Sequence, residues 1–587
     1  MASKARRQTG DISLAGPQTT QVNLAHLALL VLTTLAAFWP ALSGGFVNWD
    51  DKTNIVDNFS YRGLRWTQLK WMWTTYHMGH YQPLSWMTLG LDYLLWGMDP
   101  FGYHLTNVLL HGLNGVLFYF VALRLLRAAV GETPGESLDR WALLAALLFS
   151  VHPLRVESVA WVTERRDVLS GSFYLATILF YLKSCAEPSV RAADRSRRAA
   201  LACFLLSLLS KGIGMTLPVA LIILDIYPLR RIGLPGVFWE KAPFAALALP
   251  FAVVAFLAQE HTGVIAHFAS VGVVERLELS AFGSVFYIFK TLAPFHLIPL
   301  YARAANFYPW SPSFVGSIVA VAAIAVLLFA ARRRWPALPV AGAYYLITLS
   351  PVLGVVLSGI YVAADRYSYL PCLGWAVLAA GAGRAVYKRS GETGKAMLMC
   401  ALSLIIVGLV ALTRAQCGIW HDSVALWQAT LSIEPRSAVA RNNLGTALAR
   451  TGREAEGMTQ FQSAIEIDPH YAEAHNNLAT AWVHQEKFDE AVTEYRKALE
   501  VDPAYSMARN NLGAVLAAEG KFAEAEAEYR RALAANPDDA HAHNNLGLAL
   551  AQQGQKAEAV SEFRHALAIS PYYEEAAKNL QSISTGY

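Results

Sequence analysis

Five prolines in the last third of the chain recur at a constant spacing, and this repeat constrains the fold more than any other feature. They are Pro435, Pro469, Pro503, Pro537 and Pro571, each 34 residues after the one before. Each repeat also carries an Asn-Asn-Leu sequence, one large aromatic residue and one alanine in phase. The aromatic residues are Phe461, Tyr495, Tyr529 and Phe563, and the alanines are Ala464, Ala498, Ala532 and Ala566. Such a period is typical of helix pairs that bury their apolar faces by stacking on their neighbours.

The pattern predicts a tetratricopeptide-repeat (TPR) α-solenoid over residues 418–587. Four full repeats span 438–571, with a half repeat before them and a cap helix after them. The charge also divides there: residues 1–417 carry 34 Lys and Arg against 21 Asp and Glu, and residues 418–587 carry 14 against 23. Because the solenoid is acidic, we expect no nucleic-acid partner.

The asparagine pair is the part of the repeat that apolar packing does not explain. Its members are Asn442, Asn443, Asn476, Asn477, Asn510, Asn511, Asn544 and Asn545. Stacked on the inner surface, these amides would bind an extended acceptor peptide, an arrangement that resembles the asparagine ladder of the nucleocytoplasmic O-GlcNAc transferase. Alternatively, they hydrogen-bond between repeats and fix the superhelix.

The rest of the chain is strongly apolar. Hydrophobic residues make up 55% of the sequence and charged residues 16%, which points to a membrane protein. Runs able to span a bilayer recur at 22–42, 102–127, 139–151, 167–184, 199–229, 241–258, 279–297, 312–331, 336–357, 366–387 and 396–415. We predict an all-α fold, with a cytoplasmic tail over 1–21, a membrane domain of about eleven spans over 22–417, and then the solenoid.

The basic connectors predict the orientation of these spans. They are 5–7, 124–140, 183–198, 332–334 and 384–395, which should face the cytoplasm. With eleven spans, the long loop 43–100, with its aromatic interfacial helices, and the solenoid then lie on the opposite side. We predict a multi-pass protein in contact with membrane lipids, in a bacterial inner membrane with a periplasmic solenoid, or in the endoplasmic reticulum with a luminal one.

Polar groups in this half gather at the ends of the predicted spans. Asp50 and Asp51 follow the first span, and this pair suits a base for group transfer, a cation ligand or an ordinary turn. Arg165 and Arg166, at the end of a polar segment that begins at His152, could bind a phosphate or pair locally with Glu164 or Asp167. Ionisable groups at span ends fit transfer from a lipid-linked phosphate better than solute transport, which places them at mid-bilayer.

Four segments resemble the transmembrane and tetratricopeptide-repeat O-mannosyltransferases and their bacterial relatives, namely Phe46–Asp51, Asp99–His111, His152–Asp167 and Asp365–Pro371. These are type C glycosyltransferases (GT-C), which use polyprenyl-phosphate sugars. The resemblance implies that Asp50 and Asp51 are the catalytic pair. His152, Glu157, Arg165 and Asp167 match a second motif of the family, and Arg366 matches a third. Together with Arg166 and Lys211, which are cations at span ends, they predict a donor-phosphate site of Arg165, Arg166, Arg366, His152 and Lys211, supported by Glu157, Asp167, Asn107 and His111. One departure is Gly212, which follows Lys211 where the family has glutamate.

We therefore predict a membrane enzyme that moves a sugar, mannose by the resemblance, from a polyprenyl-phosphate donor to Ser or Thr of a protein acceptor presented by the TPR groove. One aspartate takes the acceptor proton, and analogy with related protein mannosyltransferases favours Asp50. The scheme requires no cofactor or metal, although the aspartate pair could hold a divalent cation. The alternative function is a non-catalytic, membrane-anchored TPR scaffold for protein–protein interaction.

Overall fold

The computed structural model describes residues 23–131, 137–261, 272–302, 310–354, 361–570 and 573–585. The predicted tail 1–21 and its basic residues lie outside this set. The chain divides into two compact units, 1–426 and 427–587. Among the described residues, the regular secondary structure is helical except for two short strands, which confirms the all-α prediction.

The first unit contains fifteen complete α-helices among its described residues. They are α1 (Leu24–Phe38), α2 (Trp66–Thr74), α3 (Pro83–Trp96), α4 (Pro100–Val130), α5 (Asp139–Ser150), α6 (Val156–Ala160), α7 (Arg165–Ala186), α8 (Val190–Ser210), α9 (Leu217–Ile226), α10 (Ala242–His261), α11 (Val273–Leu292), α12 (Pro312–Ala331), α13 (Ala337–Leu349), α14 (Leu373–Arg389) and α15 (Glu392–Ile419). Strand β1 (Tyr301–Ala302) pairs antiparallel with β2 (Tyr361–Ala363). Helix α16 (Ser423–Ile433) contains the boundary between the units.

Every predicted apolar run contains a helix, but the runs differ in length. Among the described residues, six helices are long and apolar enough to cross a membrane, or seven if the bent pair Asp139–Ser150 and Pro153–Ala160 forms one span. The run 199–229 is two helices, α8 and α9, which are interrupted at Lys211. The number of eleven spans stays a prediction, because several runs form helices too short to span by themselves.

Helix α4 illustrates why these elements begin where they do. Asp99 caps it by accepting a hydrogen bond from the Phe101 amide at 3.0 Å, and Pro100 supplies the fixed φ that suits a first turn. The helix ends at Gly131, whose positive φ of 71° suits a residue without Cβ. Helix α7 packs against both α4 and α8, and α5 packs against α4. The charged residues at the start of α7 are therefore buried inside the unit.

The second unit is the predicted stack of helix pairs. They are α17 (Ala438–Arg450), α18 (Glu454–Ile467), α19 (Ala472–His484), α20 (Phe488–Val501), α21 (Ser506–Ala518), α22 (Phe522–Ala535), α23 (Ala540–Gln552), α24 (Lys556–Ile569) and the cap α25 (Glu574–Thr585). The aromatic position of each repeat packs on a small one: a Cβ added at Gly513 would lie 2.7 Å from the Tyr529 ring. The repeat prediction is confirmed up to residue 570, and Pro571 lies outside the described residues.

Candidate active site

The second aspartate of the pair, Asp51, is held in place by three donors. Its Oδ1 accepts from the amide of Thr163 at 2.9 Å and from the Thr163 hydroxyl at 2.7 Å, and Oδ2 accepts from the Val47 amide at 3.1 Å. Its side chain is buried. Asp51 therefore ties the segment after α1 to the segment before α7.

Burial also changes the acidity of Asp51. Desolvation raises the pKa of this carboxyl to about 7, although the hydrogen bonds from Thr163 and Val47 oppose the shift. A carboxyl with three fixed donors and a raised pKa suits a positioning role better than contact with an incoming acceptor.

The raised pKa makes a prediction about stability. Between the ordinary aspartate pKa of about 3.9 and about 7, the folded chain keeps a proton on Asp51 that the unfolded chain has released. The free energy of unfolding should therefore fall as the pH rises from 4 to 7, by at most on the order of 4 kcal/mol from this group. Thermal unfolding in detergent at both pH values should show a smaller decrease for Asp51→Asn than for wild type. An equal decrease in both proteins would contradict the contribution of Asp51 to the pH dependence of stability. The control is Asp57→Asn, which changes an exposed aspartate.

The first aspartate, Asp50, differs from its neighbour. It is half-buried, and no described residue forms a hydrogen bond with its carboxylate. Burial raises its pKa, whereas the nearby positive charges of Arg166 and Arg366 lower it. Asp50 thus offers lone pairs that no described residue occupies, as a base requires, and the two guanidinium groups nearby supply positive charge.

Glu164 lies at the centre of a buried ion cluster. It accepts two hydrogen bonds from Arg166, at 2.6 and 3.1 Å, and one from Lys211 at 2.9 Å, and Arg366 Nε lies 3.3 Å from it. The sequence did not single out Glu164 as a site residue, although it named it as a local partner of the arginines. That local pairing is the arrangement observed.

Two further carboxylates complete the cluster. Asp167 binds Lys211 at 2.6 Å and accepts from the Ser158 hydroxyl at 3.0 Å. Glu157 forms an ion pair with the Arg366 guanidinium and accepts from the Arg366 amide at 2.8 Å. Three cations and three carboxylates therefore compensate one another where unpaired charges would be costly.

A cavity of about 70 Å³ lies beside Arg166 and Lys211. His80 and Gln82 also line it, and the Gln82 side-chain oxygen is buried without a hydrogen-bond partner among the described residues. Burial and the charges of Arg166 and Lys211 hold the pKa of His80 well below its usual value. Sequence reasoning missed His80, and its place directly before Tyr81-Gln82-Pro83 in the aromatic loop is not by itself a distinguishing signal.

Arg165 does not join this cluster, although it precedes Arg166. Its guanidinium pairs with Asp92 at 2.6 Å, donates to the Tyr103 carbonyl at 2.8 Å, and bonds to Asn107 Oδ1. Its side chain is fully buried. Consecutive helical residues point about 100° apart, so the two arginines face different surroundings.

The other predicted residues connect elements around the site. Asn107 donates to the carbonyls of Val159 and Trp161 at 3.1 and 3.3 Å. His111 bridges the Tyr369 hydroxyl and the Ser150 carbonyl, both at 2.8 Å. Both side chains connect segments around the site, and a supporting role for them in the reaction stays a prediction.

His152 has a similar structural environment. One ring nitrogen accepts from the Leu154 amide at 3.2 Å, and the other lies 3.0 Å from the Thr291 carbonyl. Both nitrogens are therefore engaged within the fold. The structure does not place His152 among the residues that line the cavity beside Arg166.

In the solenoid, the asparagines bond from repeat to repeat. The second asparagine of one repeat donates to the first of the preceding repeat in the pairs Asn477–Asn442, Asn511–Asn476, Asn545–Asn510 and, from the cap helix, Asn579–Asn544, at 2.8 to 3.1 Å. The first asparagine is buried in three of the repeats. This geometry supports the inter-repeat role for both members of the pair, the first as acceptor and the second as donor, and peptide binding by these amides stays a prediction.

The ladder makes a prediction that separates the two roles. Asn476→Ala removes the acceptor of Asn511 and should lower the free energy of unfolding by about 1–3 kcal/mol. Asn443 forms no hydrogen bond with a described residue, so Asn443→Ala should change it by less than about 0.5 kcal/mol. Denaturation of the full chain followed by circular dichroism measures both. Equal stability of the two variants would contradict the inter-repeat role.

The chain is similar to a repeat family, to curated proteins and to solved structures. A tetratricopeptide-repeat family matches residues 418–472, 459–506, 476–533 and 511–574. Mouse protein O-mannosyl-transferase TMTC3 is 34% identical over 173 residues, which are 28% of this chain and 17% of that protein. Mouse protein O-mannosyl-transferase TMTC4 is 27% identical over 520 residues, 73% of this chain and 66% of that protein. The crystal structure of MamA protein is 23% identical, with a TM-score of 0.23, over 27% of this chain and 84% of that one.

The chain thus spans less than two thirds of the length of these curated relatives. The resemblance predicted from four sequence segments is confirmed, since both relatives carry the O-mannosyl-transferase name. The match to TMTC4 extends over most of this chain and therefore beyond the repeats alone.

Proposed function

We propose that this chain is a membrane protein O-glycosyltransferase that uses a lipid-linked phosphate sugar as donor. The observation that carries the proposal is Asp50, a half-buried carboxylate without a hydrogen bond to a described residue, beside Arg166 and Arg366. The named activity of the relatives supports glycosyl transfer. Mannose is accordingly the sugar that we propose.

Asp50 acts as the general base. It accepts the proton of a Ser or Thr hydroxyl while the hydroxyl oxygen attacks the anomeric carbon of the sugar. The bond from that carbon to the phosphate oxygen breaks, and its electron pair leaves with the lipid phosphate. A single displacement inverts the anomeric centre. The raised pKa of Asp50 makes it a stronger base than an ordinary aspartate.

The leaving phosphate is already an anion, so it needs fixed positive charge more than a proton. Arg166 and Lys211, on the wall of the 70 Å³ cavity, supply that charge, and Gln82 offers an amide for a phosphate oxygen. Glu164 and Asp167 hold the two cations in position before the donor binds. The proposed steps use no cofactor and no metal.

The solenoid has the second role in this proposal. Arrays of tetratricopeptide repeats bind extended peptides along their inner surface, so we assign to this unit the capture of the acceptor protein. The transfer takes place on the side opposite the basic connectors, which is the periplasm for a bacterial inner membrane or the lumen for the endoplasmic reticulum.

A donor assay tests the function. Membranes that contain the full chain are incubated with radiolabelled polyprenyl-phosphate sugars, and label is measured on protein. We expect transfer from one donor, polyprenyl-phosphate mannose, with release of the sugar by β-elimination and no loss on addition of EDTA. Membranes without the chain are the control. Absence of label from every donor, with acceptor proteins still captured, would favour the scaffold function instead.

A further inference from the structure

A second cavity lies between α4, α7, α9, α13 and α14, apart from the candidate active site. Its volume is about 720 Å³, within the range of roughly 300–1,000 Å³ that is usual for ligand cavities. Its wall is mainly apolar along its length and includes Phe118, Leu126, Leu175, Val377 and Gly381. A cavity of this kind accepts hydrocarbon chains.

The cavity is far from the residues proposed to transfer sugar. Helix α4 carries Asn107 at the active site and Leu126 on the cavity wall, 19 residues further along. At 1.5 Å per residue this is roughly 28 Å, close to the thickness of a bilayer's hydrocarbon core of about 30 Å. The cavity therefore opens near the opposite membrane surface from Asp50.

Positive charge and aromatic residues gather at this end of the cavity. Arg334 and Arg389 line it, are exposed, and form no ion pair with a described residue. Trp335, also on the wall, is 61% exposed. Tryptophan at a membrane protein's surface marks the headgroup level, so the two guanidinium groups lie where lipid phosphates lie.

We propose that this cavity binds an anionic phospholipid, with its acyl chains between α4 and α14 and its phosphate paired with Arg334 and Arg389. Basic pockets between spanning helices are suited to such headgroups. The sugar donor is a different lipid, because its phosphate is required beside Arg166 at the other membrane surface. The bound phospholipid stabilises the packing of α13 and α14 against α4.

Native mass spectrometry of the delipidated full chain tests the proposal with added phosphatidylglycerol, phosphatidylcholine or polyprenyl phosphate. Wild type should retain phosphatidylglycerol at least tenfold better than phosphatidylcholine. The double variant Arg334→Gln/Arg389→Gln should lose about tenfold of that retention. The matched control, Arg332→Gln/Arg333→Gln, removes two exposed arginines that do not line the cavity and should retain the lipid as wild type does.

A second variant fills the cavity without changing charge. A Cβ at Gly381 would meet its nearest neighbour, Leu126, at 3.8 Å, so Gly381→Leu can be accommodated and its side chain occupies lipid space. It should also lose phosphatidylglycerol. Equal retention by wild type and the double arginine variant would overturn the proposal. Retention of polyprenyl phosphate in place of phosphatidylglycerol would overturn it too, since the cavity would then hold the donor's chain.

Discussion

Asp50→Asn should reduce sugar transfer by about 10²–10⁴-fold, the usual contribution of a general base. The change keeps the size of the side chain and removes only its ability to take a proton. It breaks no hydrogen bond to a described residue, so the thermal unfolding midpoint should stay close to that of wild type. Initial rates with purified chain, polyprenyl-phosphate mannose and a Ser/Thr-containing acceptor measure the effect.

Two neighbouring variants make this result interpretable. Asp57→Asn alters an exposed aspartate of the same segment, whose Oδ2 lies 3.9 Å from Lys52 Nζ. This change should leave the rate of sugar transfer unchanged. Asp51→Asn disturbs the bonds to Thr163 and Val47, so it should affect stability as well as rate. If Asp50→Asn retained full transfer and Asp51→Asn lost it without unfolding, the roles of the two aspartates would be the reverse of those proposed.

Arg165→Met should be the most destabilising single change in the site region. It leaves the Asp92 carboxylate buried without its ion-pair partner, which costs about 3–5 kcal/mol in comparable buried pairs. The unfolding midpoint of the detergent-purified chain should fall clearly, while the rate per folded molecule should fall much less than for Arg166→Met. As a control, Arg140→Met replaces an exposed arginine and should change the free energy of unfolding by less than about 0.5 kcal/mol.

A double variant identifies the cause of this loss. Asp92→Asn added to Arg165→Met removes the uncompensated charge and should recover a substantial part of the lost stability. If Arg165→Met instead kept wild-type stability and abolished transfer, Arg165 would bind the donor phosphate, as the sequence suggested.

Many residues of the site could be predicted from the sequence, but their contacts with one another could not. Asp50, Arg166, Lys211 and Arg366 were each recognisable as ionisable groups at span ends, where charge is costly. His80 was not, because a single histidine in an aromatic loop has no distinguishing pattern. Its position beside Arg166 depends on contacts between segments more than eighty residues apart.

The sequence by itself determined the features that follow from the periodicity of its residues. A 34-residue repeat implies stacked helix pairs, and apolar runs imply helices of a membrane domain, because both depend on local spacing. Only the tertiary structure showed which partners each of two adjacent, chemically identical residues contacts. Asp50 and Asp51, Arg165 and Arg166, and Asn476 and Asn477 differ through their partners, which come from distant segments. Neighbours on a helix point about 100° apart, so packing gives each member of a pair a different environment.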